Sequence, residues 1–516
     1  MTKKSLLQKI KGMLFSRVVI VALLIAFQLG LLLVFVLRLS RYFAAMYGVL
    51  LLLSLMALLH VINKEDNPSY KLAWVVPILS FPLFGGLFYL LFGQTRLGRR
   101  LYGWMQVIQK KWEPLLQQAA SVEAQIGALD REMLCQSQYI LKAGFPAFAN
   151  TATTYHPSGE SKFAAMCEAL EKAERYIFLE YFIVEEGTMW NTLLEILERK
   201  VQQGVEVRMM YDGFGCMFTL PDHYFRQMRE KGIQCIEFNP LVPLLSILMN
   251  NRDHRKILVI DGHTGFMGGV NLADEYINLV DKHGHWKDCA VELHGDAVWS
   301  LVLMFLTMWE GISGEAQEPE RYHALPGEII PCENGFVQPY SDSPLDDELI
   351  GEMVYLNIIN RARDYLYICT PYLIIDNETV TALLLAAKSG VDVRIITPGH
   401  GDKWFVHVTT RAYYSQLIRG GVKIYEYTPG FIHSKSFVCD DEVATVGTIN
   451  LDYRSLYLHF ECGVWMVGTS AVAPMKADFF ATLEQCEQMT LENPIVKVGP
   501  AQKLLRAVLR LLAPLM

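Results

Sequence analysis

The sequence predicts an α/β protein: N-terminal transmembrane helices followed by two homologous α/β halves. Three observations predict it. Three apolar runs of membrane-spanning length stand near the N-terminus. From about residue 155 helix-like and strand-like runs alternate, and the alternation occurs twice. An 18-residue pattern that begins at His254 returns at His433 without a gap.

Residues 1–17 are basic, with Lys3, Lys4, Lys9, Lys11 and Arg17. Val18 to Leu37 is then an apolar run of 20 residues, Tyr42 to Ile62 one of 21, and Leu72 to Phe92 one of 21. A helix needs ~20 apolar residues to cross a bilayer. The first run has no small-residue cleavage site and is soon followed by another, so it reads as retained rather than as a removed leader. Five basic residues precede the first run, and Arg96, Arg99, Arg100, Lys110 and Lys111 follow the third. Positive charge favours the cytoplasmic side, and an odd number of spans cannot put both ends there. The third run holds Pro77, Pro82, Gly85 and Gly86, so it is expected to be bent or re-entrant, leaving the rest of the chain on the cytoplasmic face of a cell membrane. Residues 1–96 are therefore read as a multi-pass anchor of two or three segments. Residues 97–150, with Trp104, Trp112 and the pair Lys110 and Lys111, are read as a helical interfacial linker.

The first half is placed at 151–330. A helix-like segment (Phe163 to Arg175) leads to a strand at 176–184. A helix (Trp190 to Gln203) leads to a strand at 205–213. The second half, 331–516, repeats this with helix 347–364, strand 365–374, helix 378–388 and strand 391–399. Gly204-Val205-Glu206-Val207-Arg208 and Gly390-Val391-Asp392-Val393-Arg394 are the clearest matched pair. The Pro/Gly/acidic stretch near 325–346 is the expected seam. One asymmetry stands out. Phe238 to His254 is 16 residues and Tyr427 to His433 is 6. The excess includes the apolar LVPLLSILM (241–249), read either as a packed loop or as a lip toward lipid. Leu504, Leu505, Val508, Leu511 and Leu512 with Lys503, Arg506 and Arg510 form a basic amphipathic C-terminal helix.

The net charge of −8 argues against a broad nucleic-acid footprint. Ten Cys occur without a CxxC pair, which reads as free thiols in a reducing compartment.

The repeated pattern carries the chemistry. His254, Lys256, Asp261 and Asn271 match His433, Lys435, Asp440 and Asn450 at +2, +7 and +17 from each His. Ile257 to Ile260 and Ser436 to Cys439 look like strands. Side chains alternate along a strand, so a His and a Lys two apart share a face. An imidazole beside an ammonium suits a phosphate: the Lys as point charge, the His as nucleophile or proton carrier. Gly268 and Gly269, and Gly447 with Thr448, would let a ligand approach the backbone.

This doubled HxKxxxxD motif resembles that of the phospholipase D superfamily. The surrounding text (NRDHRKILVIDG, GGVNLADEY and HWKDCAVELHG, then TPYLIID, GVKIYEYTPGFIHSK and VGTINLDYRS) is similar to bacterial cardiolipin synthases from about residue 63 onward. The resemblance implies two phospholipase D-like halves about a pseudo-two-fold axis, sharing one active site. It implies a phosphatidyltransferase that joins two phosphatidylglycerols into cardiolipin plus glycerol. His254 would form a covalent phosphohistidine and His433 would carry the proton. Lys256, Lys435, Asn271 and Asn450 would hold the phosphate, and Asp261 and Asp440 would belong to the catalytic set or instead shape the turn or anchor the other half. Asp288 and Glu461 would orient the imidazoles. Cys216 and His459 depart from the family, which usually has Ser and Asn there. The alternatives are a phospholipase D, another phosphatidyl-alcohol transferase such as a phosphatidylserine synthase, or, from another class, an inactive membrane scaffold.

No cofactor is expected: P-loop and dinucleotide fingerprints are absent. No metal is expected either, since His283, His285, Asp288, Cys289 and His294 fit no familiar zinc spacing. The expected partners are phosphatidylglycerol and cardiolipin in the bilayer, with no nucleic acid. The oligomeric state is open.

Overall fold

A computed structural model describes residues 43–516, apart from 66, 82–84, 93–98, 241–250, 330–331, 333–334, 347 and 516, together with six residues between 26 and 34. The first apolar run and the 241–249 lip fall outside the described residues or almost entirely so.

The second apolar run is a helix, Phe43–Asn63. The third is not one helix but two, Pro68–Ser80 and Gly85–Phe92. Pro77 sits in the last turn of the former, where it removes a backbone donor. Gly85 and Gly86 begin the latter. A Cβ on Gly85 would lie 2.4 Å from Cα of Ile78, and one on Gly86 2.5 Å from Cα of Ser54. Only glycine lets the returning helix touch its neighbours this closely. Trp74 packs at 5.2 Å on Tyr89 inside the fold-back. Among the described residues no helix is long and apolar enough to cross a membrane. Asn67 ties this region to the second half through Asp376 (3.0 Å) and Tyr457 (2.9 Å).

Three α-helices lie within 99–150: Arg99–Trp112, Ala120–Leu129 and Arg131–Lys142. Met105, Ile108 and Trp112 bury one face of the first in the protein core, while Trp104 and Val107 stay exposed.

The first half contributes β1 (Thr151–His156), β2 (Tyr176–Tyr181), β3 (Glu206–Asp212), β4 (Gln234–Phe238), β5 (Arg252–Asp253), β6 (Lys256–Ile260), β7 (Thr264–Gly268), β8 (His285–Lys287) and β9 (Ala290–Gly295). The second contributes β10 (Phe336–Asp342), β11 (Tyr365–Cys369), β12 (Leu373–Ile374), β13 (Asp392–Pro398), β14 (Lys423–Tyr427), β15 (Gly430–Ile432), β16 (Ser436–Cys439), β17 (Val443–Gly447), β18 (Leu451–Asp452), β19 (His459–Val467) and β20 (Cys486–Met489). The β-branched and aromatic runs read as strands from sequence are strands here, shorter by a few residues at their ends.

The first sheet runs β1-β9-β7-β6-β2-β3-β4. The second runs β10-β19-β17-β16-β11-β13-β14, then β20. The two orders correspond strand for strand. In each, three parallel strands (β2, β3, β4; β11, β13, β14) adjoin an antiparallel set. Val291 and Leu293 of β9 share one apolar core with Val446 and Val464 of β17 and β19. Each such side chain, fully buried, contributes roughly 1.5–3 kcal/mol. This inter-sheet core clamps the halves together.

Candidate active site

Short strands exchanged between the halves build the site. β5 lies parallel to β19, with Arg252 opposite His459 and Asp253 opposite Phe460. Reciprocally, β15 lies parallel to β8, with Phe431 opposite Trp286 and Ile432 opposite Lys287. The backbone N–H of His254 then donates to Phe460 O at 2.9 Å, and that of His433 to Lys287 O at 2.6 Å. Each motif histidine is therefore held by the other half. Neither lies on the strand expected from sequence: His254 sits in the step between β5 and β6, and His433 in the step between β15 and β16.

The carboxylates follow the same exchange. Nδ1 of His254 is 2.9 Å and 3.0 Å from the two carboxylate oxygens of Glu461. Nδ1 of His433 is 2.6 Å from Oδ2 of Asp288. Both acids are fully buried. Thr448 donates its hydroxyl to Glu461, and the Cys289 N–H donates to Asp288 at 2.8 Å. A Cβ on Gly269 would lie 2.2 Å from Oδ1 of Asp288, so only glycine leaves room for that carboxylate. With each Nδ1 engaged, Nε2 is the nitrogen left to meet a substrate.

The two lysines are buried and folded back on their own motifs. Lys256 Nζ donates to His254 O at 2.6 Å, and Lys435 Nζ donates to His433 O. Burial pulls Lys256 down to about 7 and Lys435 down to about 8, against the attraction of Glu461 and Asp288. Asn271 accepts from the Ile183 N–H at 3.0 Å and donates to the Tyr276 hydroxyl at 2.7 Å. Asn450 donates to Ser455 at 3.0 Å. Each amide keeps one further N–H. Phe182 lines His254 at 4.9 Å between ring centroids; Trp286 and Tyr276 line His433 at 5.3 Å and 5.5 Å.

The two imidazoles differ electrostatically. Burial lowers His254 well below its usual value, and Lys256, His459, Lys435 and His433 all push the same way. Burial also lowers His433, to about 4, but there Asp288 opposes the shift by charge and by hydrogen bond. Of the two rings, His254 is thus held neutral the more firmly, while Asp288 partly offsets the shift at His433. Burial pushes the Glu461 carboxyl well above the usual range, against the pull of Lys256.

Asp261 and Asp440 are not aimed at the imidazoles. Both adopt a left-handed backbone, φ 52° and 54°, at the turn that ends β6 or β16. Asp261 accepts the N–H groups of Glu174, Arg175 and Tyr176; Asp440 accepts those of Arg363, Asp364 and Tyr365. Each fastens its turn to the start of the neighbouring central strand. The sequence cluster His283–His294 disperses: His285 meets Tyr427 at 2.9 Å, Asp288 meets His433, and His294 meets Thr264 at 3.1 Å. Cys216 is buried, its sulfur accepting the Val184 N–H at 3.2 Å. All ten cysteines are free. Sequence reasoning did not find Tyr276, because no spacing rule links it to the motifs, and it marked Thr448 for close backbone approach rather than for its hydrogen bond to Glu461. It registered His459 only as a departure; the structure puts its ring 5.5 Å from that of His254.

Residues 166–283 and 355–483 match the family described as cardiolipin synthase, PLD-like domain, and residues 52–94 match the phospholipase D-nuclease N-terminal family. A protein of Streptococcus mutans serotype c, named only as uncharacterized, is 45% identical over 461 residues, 89% of this chain and 99% of that one. A cardiolipin synthase of Geobacillus sp. (strain WCH70) is 35% identical over 91% of this chain and 93% of its own length. One from Alkalihalophilus pseudofirmus is 33% identical over 88% and 90%. Among solved structures, the phosphatidylserine synthase of Haemophilus influenzae superposes with a TM-score of 0.56 at 15% identity, covering 75% of this chain and all of that one; this likeness is one of fold. On the family match and the identity shared along nearly the whole length, the chain belongs to the cardiolipin synthase family.

Proposed function

We infer that the protein is a phosphatidyltransferase that converts two phosphatidylglycerols into cardiolipin and glycerol. The observation that carries the chemistry is the pair of buried His–carboxylate contacts exchanged between the halves. Nε2 of His254 attacks the phosphorus of one phosphatidylglycerol. The bond from phosphorus to the headgroup glycerol oxygen breaks, and His433 gives that oxygen a proton. Glycerol departs and a phosphatidyl group remains on His254. The terminal hydroxyl of a second phosphatidylglycerol gives its proton to His433 and attacks phosphorus; the P–N bond breaks and cardiolipin leaves. Lys256 and Lys435 balance charge on the non-bridging oxygens, with the spare amide N–H groups of Asn271 and Asn450 beside them. One phosphodiester replaces another, so no nucleotide is needed.

Lipid access fits the surface. Leu51, Leu52, Leu55, Met56 and Leu59 are exposed on helix Phe43–Asn63, as are Leu504, Leu505 and Val508 on helix Pro500–Leu512. Arg506 meanwhile turns inward to Ile495 O at 2.6 Å, and Arg510 bonds Gln416 at the surface at 2.9 Å. A helix with Arg506 and Arg510 hydrogen-bonded to protein and Leu504, Leu505 and Val508 bare suits an interfacial, lipid-facing position. The basic residues flanking the anchor favour a catalytic part on the cytoplasmic face; an accessibility map that finds residue 110 outside the cell refutes that orientation.

Purified protein in phosphatidylglycerol vesicles should release glycerol and cardiolipin in equal amounts. Phosphatidic acid as the main product would make it a hydrolase, and transfer to added serine a phosphatidylserine synthase.

A further inference from the structure

The halves differ at the position two residues before each orienting acid. In the first half Trp286 precedes Asp288 and packs beside His433. In the second His459 precedes Glu461 and packs beside His254. His459 is buried, and among the described residues neither of its ring nitrogens makes a hydrogen bond. Its Nδ1 lies 3.7 Å from Oε1 of Glu461, the oxygen that Nδ1 of His254 meets at 2.9 Å. His254, His459 and Glu461 each offer one ligand atom, and the three atoms lie within 4.8 Å of one another.

We propose that His254, His459 and Glu461 form an inhibitory site for a zinc-class divalent cation. Two imidazoles and one carboxylate, with a fourth position for water, are a donor set that zinc favours. Lys256, Lys435, Arg454, Arg252 and Lys403 add positive charge around the imidazoles. Magnesium and calcium gain little from imidazole and are repelled; zinc, cobalt and copper bond to it strongly enough to compete. The metal takes the Nδ1 lone pair of His254 and replaces that nitrogen's hydrogen bond to Glu461. The ring stays neutral by carrying its proton on Nε2, so no lone pair remains for phosphorus. Glu461 enters as carboxylate, and any proton it held leaves to solvent; nothing is oxidised or reduced. Binding needs only the geometry, whereas inhibition rests on the proposed role of His254 as nucleophile.

The test uses the full-length protein in detergent, without lipid for binding and with phosphatidylglycerol for activity. Wild type should bind one zinc per chain and, loaded with cobalt(II), show the visible absorption of a tetrahedral site. His459→Asn and His459→Gln should weaken zinc binding by roughly tenfold to a hundredfold or more. Micromolar zinc should silence wild type reversibly, restored by chelator, and leave both variants active. Absence of stoichiometric binding by wild type, equal binding by the variants, or full activity of zinc-loaded wild type would each overturn the proposal. So would variants inactive in chelator, because His459 would then serve catalysis. Zinc and cobalt binding are read without turnover, so a different lipid activity would not disguise the outcome.

Discussion

Nδ1 of His254 lies 2.9 Å from Oε1 of Glu461, a residue of the opposite half. His433 and Asp288 repeat the relationship in the other direction at 2.6 Å. Neither half holds a complete His–carboxylate pair. Glu461→Gln keeps the side-chain volume but loses the carboxylate that fixes the imidazole. The expected result is a kcat on phosphatidylglycerol lowered about 10²–10⁴-fold, the scale of acid–base assistance, with KM little changed. Steady-state rates beside a thermal denaturation curve check it; near-normal kcat in a folded variant would count against the pairing.

Asp261 and Asp440 belong to the motif but work on the backbone. Removing either carboxylate orphans three N–H groups at a turn with positive φ. Asp261→Ala and Asp440→Ala should each destabilise by about 2–4 kcal/mol, the range set by lost caps and buried unsatisfied donors. The fraction still folded should turn over at close to the normal rate. Denaturant midpoints and active-site-normalised kcat separate the two effects. A large fall in kcat with unchanged stability would restore these residues to chemistry.

The lysines give the pH dependence. In the free site Lys256 is pulled down to about 7 and Lys435 to about 8, so both lose their protons as pH rises through 7–8. A phosphodiester keeps one negative charge throughout and needs them charged. Binding therefore takes up protons, and kcat/KM should fall above neutrality, by up to about tenfold per pH unit for each lysine beyond its pKa. A pH profile of kcat/KM with short-chain phosphatidylglycerol tests this; a flat profile to pH 9 would contradict it.

The C-terminal helix gives a prediction about lipid rather than chemistry. Leu504→Asp with Val508→Asp places two charges on its exposed apolar face. Sedimentation with anionic vesicles and activity on them should drop, while activity in mixed micelles should stay at the wild-type level. Equal loss in both assays would mean the face packs against protein.

Much of this was legible because strands and motifs are local. The β-branched run Ile257 to Ile260 announced β6, and the matched spacings announced two like halves. Pro77, Gly85 and Gly86 announced a break in the third apolar run, and the fold-back follows from the donor that Pro77 lacks and the side chains that the two glycines lack. The crossing of acids between halves was not legible. Glu461 lies 28 residues from His433 and 207 from His254, yet it serves His254, because β5 pairs with β19 only in three dimensions. The expected shared strand face for His254 and Lys256 failed for the same reason: contact with Phe460 lifts His254 out of β6. His459 was visible as an unusual residue, but its nearness to His254 depends on that same pairing.

The central claim is a division of labour in which His254 becomes phosphatidylated and His433 moves the proton. The most direct measurement gives His433→Ala a phosphatidyl donor whose nitrophenol leaving group needs no proton, then maps the lipid adduct by mass spectrometry at alkaline pH. The account predicts one phosphatidyl group per chain, on His254, persisting because the acceptor hydroxyl lacks its base. An adduct on another residue, or turnover at the wild-type rate with none, would contradict it.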